Sequence, residues 1–213
     1  MQRWIERSLL ATGLALVLVY VSARVHAVFM YHAGLLSFAA LSQIGPSGTG
    51  DTGEQRPEAS VDFRLLSSGR VRAYSDAFAV RLGAPLAVLS ISKLGLCVPV
   101  FNGTDAMTLN RGAGRISGTA RPGEPGNIGI AAHRDSFFRG LKDVALGDRI
   151  ELAALNQKFV YTVDNIAVVT PSDVSVLQAR SQPSLTLVTC YPFYFIGSAQ
   201  QRYIVQASLA DSE

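Results

Sequence analysis

The chain carries few side chains able to do covalent or acid–base chemistry, and their positions narrow the choice. Of its three histidines, His26 and His32 lie in an apolar N-terminal region, and only His133 falls in the stretch patterned as a globular domain. Of its two cysteines, Cys97 sits inside the apolar run GLCVPVF and reads as a small buried hydrophobe. Cys190 ends the run LTLVTC and is followed by Tyr191-Pro192, where a strand gives way to a loop. His133 ends a run of its own, NIGIAA, in the setting Ala132-His133-Arg134-Asp135. If these two strand ends lie on the same side of a sheet, the imidazole favours the thiolate, the nucleophilic form of cysteine. Arg202 opens the next strand after an 11-residue gap. Its guanidinium is a permanent cation with several donors, suited to a carbonyl or its oxyanion. Read from the residues alone, this is a Cys/His/Arg nucleophilic site. The plainer alternative has Cys190 buried, His133 paired at the surface and Arg202 solvated.

Other chemistries lack their residues. One histidine in the domain leaves no multi-ligand His/Cys metal site; a purely carboxylate site stays open, but no EF-hand loop or dense acidic ligand set is present, so no metal ligand is assigned. There is no P-loop, no G-x-G-x-x-G between a strand and a helix, and no G-x-S-x-G elbow, so no cofactor is expected either.

The elements that must position these residues are short β-rich runs separated by Gly and Pro. They are 86–91, 96–101, 127–132, 149–154, 159–169 (as FVYTV and NIAVV), 185–190 and 202–209. Such a density of short strands predicts a mainly β domain closed, or nearly closed, into a barrel. Apolar residues from Leu65 to Leu82 recur at helical spacing, predicting one or two helices over 61–82, with helical turns near 137–141 and 172–177. The 213 residues suit one domain with an extra segment, and two cysteines are too few for a disulfide scaffold.

The mean hydropathy of +0.25 is high for a soluble chain. The excess lies at the start: Ser8 to Ala23 holds no charge and is flanked by Arg3, Glu6, Arg7 and Arg24. Sixteen residues cover about 24 Å as a helix, and Trp4 and Ile5 extend it toward the roughly 30 Å hydrocarbon core. The basic start favours a cytoplasmic N-terminus and an exported remainder. Two rivals stay open: a signal peptide cleaved near Val25-His26-Ala27, and a second crossing by residues 27–44, which otherwise read as a membrane-proximal helix. The segment 45–60, GPSGTGDTGEQRPEAS, reads as a flexible linker. The expected organisation is thus anchor 1–44, linker 45–60 and exported domain 61–213, with the barrel from about 85. The net charge of +3 is dispersed, with no aromatic-interleaved basic run, so nucleic acid is not an expected partner.

At these residues the sequence resembles the sortases. TLVTC ending in Cys190, Arg202 in QRYIV and His133 in IAAHRD match the family's three catalytic positions in order. The flanks GTARPGEPGNIGIAAHRDSFFRGL and LTLVTCYPFYFIGSAQQRYIV look most like class D, especially its Gram-negative branch, over about Pro85 to Leu209. The resemblance implies a sortase-type barrel of about eight strands with short helices behind an N-terminal membrane helix. It implies a single-pass protein of the inner membrane, its catalytic domain extracytoplasmic. It further implies cleavage of a C-terminal sorting signal on an exported protein, with Cys190 forming a thioacyl enzyme. His133 then serves as acid and base, Arg202 holds the oxyanion, and a cell-envelope or protein amine accepts the acyl group. Thr189 is expected to line the site or order its backbone, and Tyr191 and Phe193 to wall the peptide groove, against ordinary strand and loop packing. Asp135 is expected to cap the turn before Phe137-Phe138, with orientation of the His133 imidazole as the alternative. Pro125, Gly123 and Gly126 are expected to shape the turn into the His133 strand. A Cys97–Cys190 disulfide is a competing expectation that would block the nucleophile. The competing functions are an exported endopeptidase that only hydrolyses and a non-catalytic β-barrel binding module.

Overall fold

The computed structural model describes residues 17–18, 20–22, 66–77, 83–154, 157–194 and 197–210. Eight strands close into a barrel in the order β1-β2-β3-β4-β7-β8-β6-β5. They are β1 (Ala87–Ile91), β2 (Leu96–Asn102), β3 (Ala113–Arg115), β4 (Asn127–Ala131), β5 (Arg149–Ala154), β6 (Gln157–Val169), β7 (Ser184–Tyr191) and β8 (Gln201–Leu209). Two helices accompany them, α1 (Ser68–Ala77) and α2 (Ala106–Arg111), with 3-10 turns at Ser92–Leu94, Phe137–Asp143 and Ser175–Leu177. β2 pairs with β3, and β4 with β7, in parallel; every other pairing is antiparallel.

Alternation decides what fills the barrel. Leu89 and Ile91 of β1, Val98 of β2, Ile130 of β4, Leu152 of β5, Leu185 and Leu187 of β7 and Val205 of β8 are all fully buried in one cluster. Closure gives every strand a partner on both sides. Cys97 is buried with Val88 in a second, small cluster, and both cysteines are free thiols, so the disulfide expectation does not hold.

Two runs expected as separate strands, FVYTV and NIAVV, form one 13-residue strand, β6. Its pairing with β8 shifts register between Val163 and Asn165. Before the bulge Tyr161 and Val163 face the core, and after it Ile166 does. One extra residue at the polar pair Asp164-Asn165 returns apolar side chains to the same face. Two elements were absent from the sequence reading. Helix α2 starts at Asp105, whose Oδ1 accepts from the Thr108 N–H at 3.0 Å, and β3 follows it directly. Glycine permits that tight link: a Cβ on Gly114 would lie 2.0 Å from the Gly103 carbonyl oxygen.

Of the N-terminal expectations, most of the 8–23 anchor and all of the 45–60 linker lie outside the described residues. Residues 17, 18 and 20–22 are helical and exposed, and no helix among the described residues is long and apolar enough to cross a membrane.

The Gly114 contact is with backbone, which cannot swing aside. Gly114→Ala is therefore expected to destabilise the domain by about 2–3 kcal/mol, read as a lower urea midpoint at unchanged m-value.

Candidate active site

The three sequence-selected residues share one face of adjoining strands. In the antiparallel β7–β8 pair, Cys190 stands directly opposite Arg202, Val188 opposite Ile204 and Thr186 opposite Gln206. In the parallel β4–β7 pair, Ala131 is level with Val188 and Gly129 with Thr186. Two residues beyond Ala131 and two beyond Val188 bring His133 level with Cys190. Side chains two apart point to the same face, so Cys190 and Arg202 stand side by side there, about 5 Å apart, and His133, just past the end of β4, joins their row by continuation of the register. Leu185, Leu187 and Val205, on the opposite parity, fill the barrel. The reactive row is thus on the outer face, partly exposed at all three positions.

Although β4 ends at Ala131, its course continues through the Ala132 N–H, which donates to the Val188 carbonyl at 3.2 Å. Thr189 is 2% exposed, and its hydroxyl donates to the Ala132 carbonyl at 2.8 Å. That bond joins the residue before Cys190 to the residue before His133, tying nucleophile and imidazole at backbone level. Two rows back on the same face, Thr186 Oγ1 donates to Asn127 Oδ1 at 2.9 Å. Asn127 Nδ2 in turn donates to the Val176 and Gln178 carbonyls, pinning the 170–183 loop over this face. Gly129 leaves room for that loop: a Cβ there would meet Leu177 Cδ2 at 2.9 Å.

On the other side lies the 192–200 connection. Phe193 is buried and packs edge-on against Tyr203, ring centroids 5.1 Å apart, while Tyr191 stacks on Tyr203 at 6.1 Å. These aromatics brace the base of the loop, and Tyr194 is exposed at its surface beneath Arg139. The peptide bond Tyr191–Pro192 is cis. Arg134, next to His133, donates to the Pro192 carbonyl at 3.0 Å and to the Gly197 carbonyl at 2.8 Å. It therefore clips the histidine loop to the loop that follows the cysteine. Arg202 Nη1 donates to the Ala199 and Gln201 carbonyls at 3.3 and 3.0 Å. Its Nε and Nη2 groups have no partner among the described residues and remain available as donors.

The histidine has an unexpected neighbour. Arg70 of α1 places Nη1 3.1 Å from His133 Nε2, while its Nε and Nη2 donate to Asp135 at 3.3 and 3.4 Å. Asp135 is thus committed to Arg70. It does not cap the turn, whose N-cap residue, Ser136, makes no side-chain cap either. Arg70 and Arg134 were not picked out from the sequence. Arg134 adjoins the histidine and could have been flagged. Arg70 is 63 positions away, and no local signal marks it. Burial and then the Arg70 charge push the His133 imidazolium down to about 4, with Asp135 opposing. The neutral imidazole therefore dominates near neutral pH.

A family model described as "Sortase domain" matches residues 89–210. Sortase D of Bacillus subtilis (strain 168) is 33% identical over 129 residues, 60% of this chain and 65% of the relative. Sortase A of Bacillus anthracis is 26% identical over 129 residues, 59% of this chain and 60% of the relative. The chain thus spans less than two thirds of the length of these relatives. Among solved structures, a Clostridium perfringens sortase D5 transpeptidase superposes with TM-score 0.55 at 30% identity, covering 69% of this chain and 91% of that one. Sortase E1 of Streptomyces coelicolor, solved with a tripeptide in its active site, gives TM-score 0.54 at 29% identity over 60% and 88% of the two chains. The closed eight-stranded β-barrel with few short helices is that of the sortase fold. The chain belongs to the sortase family and is class D-like.

The depressed histidine carries a stability consequence. Between about pH 6.5 and 4 the unfolded chain takes up a proton at this position and the folded chain does not, so acid favours unfolding in that window. Above it neither state is protonated there and the effect vanishes. Stability is expected to fall by at most about 3 kcal/mol from pH 7 to 4 on this account. Urea titrations at several pH values should show a flatter profile over that window for His133→Gln.

Proposed function

We propose that this chain is a membrane-anchored sortase that cleaves a C-terminal sorting signal of exported proteins and passes the acyl group to an amine at the cell surface. The observation that best supports this is the row of His133, Cys190 and Arg202, aligned by strand register on the outer face of a sortase barrel. The Cys190 Sγ attacks the scissile carbonyl, by family analogy that of a Thr. A C–S bond forms, the C–N bond breaks, and the thiol proton reaches the departing amine by way of His133. An incoming amine attacks the thioester and gives its proton to the imidazole. The C–S bond breaks and the thiol is restored. Arg202, with donors left over from its own loop, holds the oxyanion of both tetrahedral intermediates. Thr189 keeps the cysteine and histidine backbones in step, and the aromatic base built by Tyr191 and Phe193 shapes the groove wall. Water in place of the amine would make the outcome hydrolysis.

In this reading residues 1–44 anchor the chain in the inner membrane in a single pass, 45–60 tether it, and 61–213 work outside the cytoplasm. Its partners are the sorting-signal peptide, an amine acceptor and the bilayer, with neither metal nor nucleic acid taking part.

The test uses full-length protein in detergent micelles, a panel of Thr-containing sorting-signal peptides and oligoglycine as acceptor, with products read by mass spectrometry. Cys190→Ala is expected to abolish both cleavage and transfer, and iodoacetamide to inactivate the wild type. Arg202→Met is expected to lower kcat/KM by about 10²–10³-fold. Full activity in Cys190→Ala would overturn the assignment. Cleavage that oligoglycine never diverts would mark an endopeptidase instead.

A further inference from the structure

Helix α1, which precedes the barrel, is built against His133. Tyr74 is 4% exposed, in the core cluster, with its ring 6.5 Å from that of Phe137 just after the histidine loop. Asn110 of α2, 3% exposed, donates from Nδ2 to the Ala73 carbonyl at 3.1 Å and accepts from Arg70 Nη1. Asp135 takes two further N–H groups of Arg70. The guanidinium is therefore held from two sides, by α2 and by the histidine loop, with Nη1 directed at His133 Nε2.

A guanidinium is a permanent cation and only donates hydrogen bonds. Its contact requires an unprotonated, accepting Nε2, which places the ring proton on Nδ1. An imidazolium carries protons on both nitrogens. Beside Arg70 it would set N–H against N–H and positive charge against positive charge. The transfer reaction needs that imidazolium transiently, paired with the Cys190 thiolate. We propose that α1 acts as a brake on the catalytic pair: Arg70 occupies Nε2 of His133 and opposes the thiolate–imidazolium form, so that loosening α1 raises nucleophile reactivity. The other groups around the ring do not replace Arg70. Asn110 is neutral, and Arg134 is turned toward the Pro192 and Gly197 carbonyls. Cys190 and Arg202 lie farther along the same row, on β7 and β8. Asp135 favours the imidazolium, but its carboxylate is engaged by Arg70, and loss of Arg70 would release it to the histidine.

The proposal places the brake on the helix that follows the proposed tether, so tension or docking along that segment would reach the active site. It rests on the transpeptidase reading for its meaning, but its test needs no substrate. In full-length protein labelled with 15N-histidine, and assigned with His133→Asn, the wild type should show Nδ1 protonated and Nε2 unprotonated at neutral pH. Arg70→Met should raise the His133 midpoint by roughly one pH unit or more. It should also speed Cys190 alkylation by iodoacetamide about tenfold at neutral pH, since each unit gained by the imidazole multiplies the ion-pair population by ten. Arg70→Lys, which keeps a cation, should stay nearer the wild type. Asp135→Asn, which frees the guanidinium, should weaken the wild-type tautomer preference. A protonated Nε2 in the wild type overturns the proposal, and that reading stands even if Arg70→Met fails to fold. A folded Arg70→Met whose alkylation is unchanged or slower also overturns it. Failure of the transpeptidase reading would appear separately, as activity surviving Cys190→Ala.

Discussion

The parallel register of β4 against β7 is the constraint on which the site depends. Ala131 sits level with Val188, and the ladder runs on through the Ala132 N–H and the Thr189 hydroxyl. A slip of one residue would turn either His133 or Cys190 to the opposite face, because side chains alternate with a period of two. The same slip would drive Thr186 or Gly129 into the apolar interior, so core burial and the placing of His133 and Cys190 on one face are enforced by one register. The antiparallel β7–β8 pairing then adds Arg202 without further adjustment. The buried bond from Thr189 to Ala132 is the most economical part of the arrangement, since it fixes both reactive residues through their immediate predecessors.

Three arginines lie in or beside the row, and each has a different task set by what it touches. Arg134 spends its donors on the Pro192 and Gly197 carbonyls and holds the two loops together. Arg202 satisfies one nitrogen on its own loop and keeps donors in reserve. Arg70 is fastened to Asp135 and Asn110 and bears on the imidazole. Lysine could not take these parts equally well, because each depends on a planar group donating in more than one direction. With Asp135 tied to Arg70, the surroundings of His133 are on balance cationic and desolvating, and both effects favour the neutral ring.

Much of the fold was legible because the strands alternate cleanly and are bounded by Gly and Pro. The boundaries of β1, β2, β4, β5, β7 and β8 fall within a residue or so of the runs read from the sequence. The break between FVYTV and NIAVV was real in hydropathy but not in the chain path. Asp164-Asn165 interrupts the apolar pattern as a bulge does, without ending the strand. The α2–β3 passage was missed because six helical and three strand residues are too few to show a period, although Asp105 ahead of AMT was a usable capping signal. Asp135 was misread as a cap because local rules cannot anticipate a partner 65 residues away.

By itself the sequence determined the chemistry available: one thiol at a strand end, one histidine in the domain, one arginine opening the next strand. Those are properties of residue type and local pattern, which a strand reports because its neighbours set its hydropathy. What only the tertiary structure decided is which groups meet. Strand register set Cys190 opposite Arg202 and brought the end of β4, just before His133, beside β7; a hydroxyl from β7 joined the histidine segment to it, and packing of Tyr74 delivered Arg70 to the imidazole. Such contacts are non-local. They follow from closing a barrel and burying a helix, and no short window of sequence contains both partners.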